Sequence, residues 1–297
     1  MEKKRWKEFY LEYRALLFSL AYRMLGSVAD AEDLVQDVFL QLNERELVHE
    51  QNIKSLLCTM VTHRSIDLLR SARKKREYYV GPWLPEPLVT TDADPLQEVI
   101  QEEYISLAML VVMERLNPVE RAVFILREVL DFDYGAIAHM IGKEESNCRK
   151  IFSRAKKKIN LSPEDIHKQK ESQEALVRTF IAALGSGNVS ALMDVLAADV
   201  TYLADGGGIV TAAAHPIHAR EPVSALLLAL VKKFIETTSD SFIVTNVNGE
   251  AGIMIVLDGK VQGVIGIDEH RGKIQTIYMI LNPEKLGHVV ESERLSS

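Results

Sequence analysis

Apolar residues recur at helical spacing through the first quarter of the chain. Across residues 7–25 they are Phe9, Leu16, Leu17, Leu20 and Met24, and Gly26 follows, where a helix C-terminus favours glycine. The stretch "SVADAEDLVQDVFLQL" predicts a second helix. Ser27 with Asp30 makes a capping-box-like start, the acids Asp30, Glu32 and Asp33 suit a positive helix N-terminus, and Leu34, Val35, Val38, Phe39 and Leu42 form the buried stripe. A third helix is predicted from about Ile53 to Arg73, with Ile53, Leu56, Leu57, Met60, Val61, Ile66 and Leu69 as its core face.

The pattern then breaks. "GPWLPEPLVTTDADP" is rich in Pro and Asp and reads as an extended linker, yet it carries a Trp and a Leu where a plain spacer would be polar. Helices are predicted to resume at about Leu96 and to continue to Lys158. From Ser172 the composition changes. "SQEALVRTFIAALGSG" predicts a helix stopped by Gly185, "NVSALMDVLAADV" a second, and "REPVSALLLALVKKFIE" a third with Pro222 in a tolerant first-turn position. Three strand-like runs follow, parted by the turn signals Asn248-Gly249, Asp258-Gly259 and Arg271-Gly272, which predicts a curved antiparallel meander. The expected architecture is multidomain: an all-α front of about 160 residues and an α+β back of about 120.

Charge sharpens this picture. The 297 residues carry a net charge of −7, but residues 1–160 hold 24 Lys and Arg against 25 Asp and Glu, whereas residues 161–297 hold 11 against 17. The basic residues of the front are bunched in "RSARKKRE" (70–77) and "RKIFSRAKKK" (149–158), each at the end of an amphipathic helix. Cys58 and Cys148 have no neighbouring His or Cys, so no metal-ligand spacing, cofactor motif or disulfide framework is read. Arg14 and Arg23 interrupt the apolar N-terminus, so neither a signal-peptide core nor a membrane span fits, and a cytoplasmic location is expected.

The strongest local signal is "FDYGAIAHMIGKEESNCRKIFSRAKKKI", which has the layout of a helix-turn-helix. A short helix (134–140) turns at Gly142 into a second helix beginning near Glu145, with Cys148, Ile151, Phe152, Ala155 and Ile159 inward. Its other face displays Ser146, Asn147, Arg149, Lys150, Ser153, Arg154, Lys156 and Lys157. Polar groups near its start can reach base edges, and the basic ones can grip phosphates. An amphipathic hairpin with a wet basic face is the plainer alternative.

At these residues the chain resembles the extracytoplasmic-function (ECF) sigma factors. "DAEDLVQDVFLQL" is similar to the region-two helix that docks on the clamp of RNA polymerase, "LLCTMVTHRSIDLLRSARKKRE" to the helix that reads and opens the −10 element, and "LNPVERAVFILREVLDFDYGAIAHMIG…CRKIFSRAKKKI" to region four, which reads the −35 element. Three signatures resemble the group with a fused C-terminal SnoaL-like domain, the SigJ type. They are WLPEP (Trp83, Leu84, Pro85, Glu86, Pro87), "DGGGI" (Asp205, Gly206, Gly207, Gly208, Ile209) and "NPEKL" (Asn282, Pro283, Glu284, Lys285, Leu286). Ile209 stands where the group has lysine, so a role needing that charge does not carry over. Glu284 for Asp keeps the carboxylate.

The resemblance implies region two over residues 1–80, a linker over 81–105, region four over 106–160, a second linker over 161–171, and a SnoaL-like cone-shaped barrel over 172–290. It implies an alternative sigma factor that binds core RNA polymerase (clamp and flap) and promoter DNA. Glu32, Asp33, Gln36 and Asp37 would face polymerase. His63, Arg64, Asp67, Arg70 and Arg73 would meet −10 DNA. Ser146, Asn147, Arg149, Lys150, Ser153 and Arg154 would meet −35 DNA. An ion pair of Asp67 with Arg70 or Arg64 is the alternative for that acid. Trp83 and Leu84 are expected to anchor the linker on the fused domain near Asp205 or Asn282, which would fix the spacing of the two DNA-reading regions.

SnoaL-like relatives include enzymes, and the fused pocket leaves room for an unidentified small ligand. The acid/base candidates are Asp199, Tyr202, Asp205, His215 and His218, with no spacing that singles out a pair. Asp205 before three glycines also suits an Asx-turn. The rival readings are a SnoaL-type enzyme with a DNA-binding front half and an operator-binding repressor.

Overall fold

Side-chain caps and left-handed residues delimit most of the helices. In the computed structural model the described residues are 2–43, 52–76, 78–90, 105–159, 170–235 and 241–289. They divide into two units, one built from residues within 2–76 and 110–159, the other from 78–90, 105–109 and 170–289.

The first unit is helical. Helix α1 (Glu2–Leu25) ends at Gly26, whose φ of 69° reverses the chain at a position open to glycine. The Ser27 hydroxyl then accepts the Asp30 N–H at 3.1 Å to start α2 (Val28–Asn43). Asn52 starts α3 (Ile53–Arg76) by accepting the Ser55 N–H. Helix α1 packs on α2 and α3 through Leu17, Leu20, Met24, Leu34, Val38, Leu57 and Val61, all buried. After α4 (Leu107–Met113), whose first three residues belong to the second unit, a complete capping box formed by Asn117 and Glu120 opens α5 (Pro118–Phe124), which runs on as a π-helical turn to Val129. Asp133 caps α6 (Tyr134–Ile141), Gly142 closes it with φ 63° and ψ 44°, and α7 (Glu145–Ile159) follows, as the helix-turn-helix pattern predicts.

The second unit wraps one sheet with helices. Its elements are β1 (Val89–Thr90), α8 (Lys170–Gly185), α9 (Val189–Val195), β2 (Leu196–Asp205), β3 (Ile217–His218), α10 (Arg220–Ile235), β4 (Ser241–Val247), β5 (Glu250–Leu257), β6 (Lys260–His270) and β7 (Lys273–Ile280). The strand order is β1-β4-β5-β6-β7-β2-β3. At each predicted turn both central residues have positive φ: Asn248 and Gly249, Asp258 and Gly259, Arg271 and Gly272. That is the two-residue hairpin whose twist matches the strands, and it fixes the registers Val247↔Glu250, Leu257↔Lys260 and His270↔Lys273.

Three expectations change. The three turns separate four strands, because β4 is half-buried along most of its length and reads weakly as a strand. The helix expected through Val200 stops at Val195, where the chain enters β2 and pairs in parallel with β7. Leu96, the expected resumption of helix, lies outside the described residues, as does most of the second linker.

Both faces of the central strands are buried. One carries Ile253, Ile255, Ile265, Ile267, Ile277 and Met279 against Val177 and Phe180 of α8 and Leu227 of α10. The other carries Met254, Val264, Tyr278 and Ile280. A Cβ at Gly266 on that face would lie 2.6 Å from Leu107, so Gly266 admits that leucine. Leu84, Val89 and Leu107 are all buried within this unit. Leu84 and Val89 of the linker are therefore core residues of the sheet unit.

Candidate nucleic-acid interface and a buried carboxylate site

On α2, Glu32, Asp33, Gln36 and Asp37 are exposed opposite the buried stripe. Leu40, one turn beyond Gln36, is exposed as well. Asp37 meets Arg64 of α3 at 3.6 Å with both side chains about half exposed, a surface pair of small energetic weight. Asp67 pairs with Arg70 at 3.3 Å. His63 is not free along α3, because its Nε2–H donates to the Met140 carbonyl of α6 at 2.5 Å. The Arg73 side chain lies outside the described residues.

Helix α7 presents Ser146, Asn147, Arg149, Lys150, Ser153, Arg154, Lys156, Lys157 and Lys158 outward. Its basic residues divide into two sets. Arg149 is bound to Glu145 at 2.5 Å and stacked 4.4 Å over the Tyr134 ring. Lys156 pairs with Glu128 at 2.9 Å, and Lys158 with the buried Glu120 at 2.7 Å. Burial pushes the Glu120 carboxyl up, but hydrogen bonds from Lys158 and from the Asn117 N–H outweigh it and leave the group below its ordinary range. Lys150, Arg154 and Lys157 have no ion pair with any described residue. They follow Asn147 as a single stripe at spacings of three and four.

In the sheet unit the residues of all three signatures meet at Asp205, which is 0% exposed. Its Oδ1 accepts the Tyr79 hydroxyl at 2.6 Å and the Gly207 N–H at 3.0 Å. Its Oδ2 accepts the Leu84 N–H at 2.8 Å and Lys285 Nζ at 2.7 Å. Lys285 is 5% exposed, also donates to the Leu84 carbonyl, and lies 4.1 Å from the centre of the Trp83 ring. Asn282 donates to the Tyr79 hydroxyl at 3.0 Å, and His288 to the Pro87 carbonyl at 2.8 Å. The glycines are obligatory here. A Cβ on Gly206 would stand 2.2 Å from the Val210 carbonyl oxygen, and one on Gly207 would stand 2.4 Å from the Asn282 amide. Burial, then the bond to Asp205, holds the Tyr79 phenol well above its ordinary range.

Lys285 supplies the cation at Asp205, while Ile209 is exposed to solvent. Two participants escape the sequence pattern. Tyr79 precedes the signature it serves. Asn248 reads as a turn residue, yet it is buried, accepts the Leu88 N–H at 3.0 Å and donates to the Ile105 carbonyl. The remaining acid/base candidates do not gather: Asp199 and His215 are exposed, His218 pairs with Thr201 on the sheet edge, and Tyr202 is buried among aliphatic side chains.

Burial pushes the Cys58 thiol up to about 11 and raises that of Cys148, and both are unpaired. Among the described residues no helix is long and apolar enough to cross a membrane.

Residues 9–75 match the Sigma-70 region 2 family and residues 106–159 the Sigma-70 region 4 family. The ECF RNA polymerase sigma factor SigJ of Mycobacterium tuberculosis (strain ATCC 25618 / H37Rv) is 32% identical over 293 residues, covering 92% of each chain. The ferric citrate uptake sigma factor FecI of Escherichia coli (strain K12) is 28% identical over 152 residues, which cover 50% of this chain and 85% of FecI. The crystal structure of Mycobacterium tuberculosis SigJ superposes with a TM-score of 0.77 at 28% identity over 95% of this chain and 98% of that one. With matches to both sigma regions and a relative 32% identical over 92% of each chain, the chain belongs to the ECF RNA polymerase sigma factors.

Proposed function

We propose that this sigma factor carries its regulator in the same chain, and that the regulator acts by holding the linker between regions two and four. The carrying observation is the buried Asp205–Lys285 pair, which binds both the N–H and the carbonyl of Leu84. With the linker held, the reach between the two DNA-reading regions is set by the sheet domain rather than by a free tether. A tethered partner acts at an effective concentration on the order of 1 mM, so a contact with a Kd of about 10 μM would keep the linker docked at roughly 100:1. Polymerase and promoter DNA, by binding the released form better, would shift that population.

In this reading the exposed acids of α2 meet a basic surface on the polymerase clamp, and region four meets the flap. The α3 face opens −10 DNA. Asn147 and the Lys150, Arg154, Lys157 stripe take the −35 element, with Asn147 and Ser146 nearest the bases and the cations on phosphate. The apolar interior around Tyr202 is where a small ligand would act on the sheet domain.

In vitro transcription with core polymerase tests the proposal by comparing the full-length protein with Trp83→Ala. Removing the ring over Lys285 is expected to change promoter output severalfold while a stoichiometric complex with core polymerase persists. Equal output from the two proteins would reject linker control, and absence of that complex would reject the polymerase reading itself.

A further inference from the structure

Among the described residues of the helical unit, two hydrogen bonds between region two and region four are of one kind. The last carbonyls of an α-helix lack intrahelical partners and carry the negative end of its dipole. At the end of α1, the Met24 carbonyl accepts Arg121 Nη1 at 2.7 Å. Arg121 belongs to α5, is 2% exposed, and gives its other donors to the Met113 carbonyl at 3.1 Å and to Glu114 at 2.7 Å. At the end of α6, the Met140 carbonyl accepts His63 of α3. A residue of region four thus caps a helix of region two, and a residue of region two caps a helix of region four. Around these caps α3 packs on α5 and α6, and Lys54 Nζ stands 5.8 Å from the centre of the Phe132 ring.

The arrangement has a cost for DNA reading. His63 is among the residues expected to meet the −10 element, and the cap on α6 engages its ring nitrogen although the residue is exposed. The stripe on α7 stays exposed. Opening is nonetheless reversible. Each lost hydrogen bond is exchanged for one to water, so the net bias per cap is modest and a stronger partner can overcome it.

We propose that these reciprocal helix caps are a latch that holds regions two and four against each other in the free protein, independently of the sheet domain. The inference rests on the assignment of the two regions and adds a second control to the docked linker. The latch decides whether the regions part, and the linker decides how far.

The test is single-molecule energy transfer in the full chain between dyes on cysteines placed at Leu11 and Glu144, both exposed, with native Cys58 and Cys148 buried out of reach. Wild type is expected in one high-transfer population. Arg121→Met and His63→Ala should each raise the low-transfer fraction about tenfold, a shift of ~1.4 kcal/mol. His63→Gln, which keeps an N–H for the carbonyl, should restore high transfer, and Trp83→Ala should leave transfer unchanged. If Arg121→Met does not fold, the two His63 variants decide. Unchanged transfer in His63→Ala, or opening by Trp83→Ala alone, overturns the latch. Neither result bears on the transcription readout that tests linker control.

Discussion

At the residue scale, Asp205 is the most exacting position in the chain. A fully buried carboxylate is tolerable only while its partners stay, and Lys285, Tyr79 and two backbone N–H groups satisfy it. Lys285→Met therefore leaves an uncompensated buried charge. Urea unfolding should show a loss of about 3 to 5 kcal/mol, and adding Asp205→Leu should recover part of it. A loss below 1 kcal/mol would mean that the pair is not buried in solution. Tyrosine titration offers a second check. Burial pushes the Tyr202 phenol up to about 12 from the ordinary 10. The unfolded chain releases this proton first, so above pH 10 the folded state binds more protons and stability falls with rising pH until about pH 12. Tyr202→Phe should flatten that decline in alkaline unfolding curves, by at most about 3 kcal/mol at its full extent.

At the element scale, α7 shows why a basic cluster is not one functional group. Lys156 and Lys158 anchor the helix to Glu128 and Glu120, and Arg149 is clamped between Glu145 and Tyr134. Lys150, Arg154 and Lys157, which have no ion pair with any described residue, are the cations proposed for phosphate. Holoenzyme binding to a −35 duplex should weaken in Lys150→Ala and in Arg154→Ala. Each should lower the slope of log affinity against log salt by about 1. Lys156→Ala should leave the slope unchanged, and an equal loss there would contradict the division. The same scale explains a misreading in "LMDVLAADV". Its small and apolar residues suit a helix locally, but pairing with β7 converts Leu196 onward into β2, the strand that carries Asp205 to its partners. Tertiary pairing outweighed a weak local preference.

At the scale of the whole molecule, order along the chain and membership in the fold differ. Residues 78–90 precede region four and residues 105–109 stand at its start, yet both belong with residues 170–289. This explains the Trp and Leu in a proline-rich connector: Leu84 is buried in the sheet unit, and Trp83 stacks on the lysine that neutralises Asp205. Both proposed controls follow from such placement, the linker held by the sheet unit and the caps that join regions two and four. Helix periods, the Gly26 and Gly142 stops, the three two-residue turns and the helix-turn-helix could be read from the sequence alone, because each depends on backbone and side-chain preferences within a few neighbours. The signatures could be found there too, as could the suggestion that they work together. Only the tertiary structure decided that Lys285 and not residue 209 supplies the cation, that Tyr79 and Asn248 take part, and that Arg121 and His63 each cap a helix of the other's region. Those outcomes depend on which buried polar groups meet across gaps of 77 to 203 residues, a matter of long-range packing that no local pattern encodes.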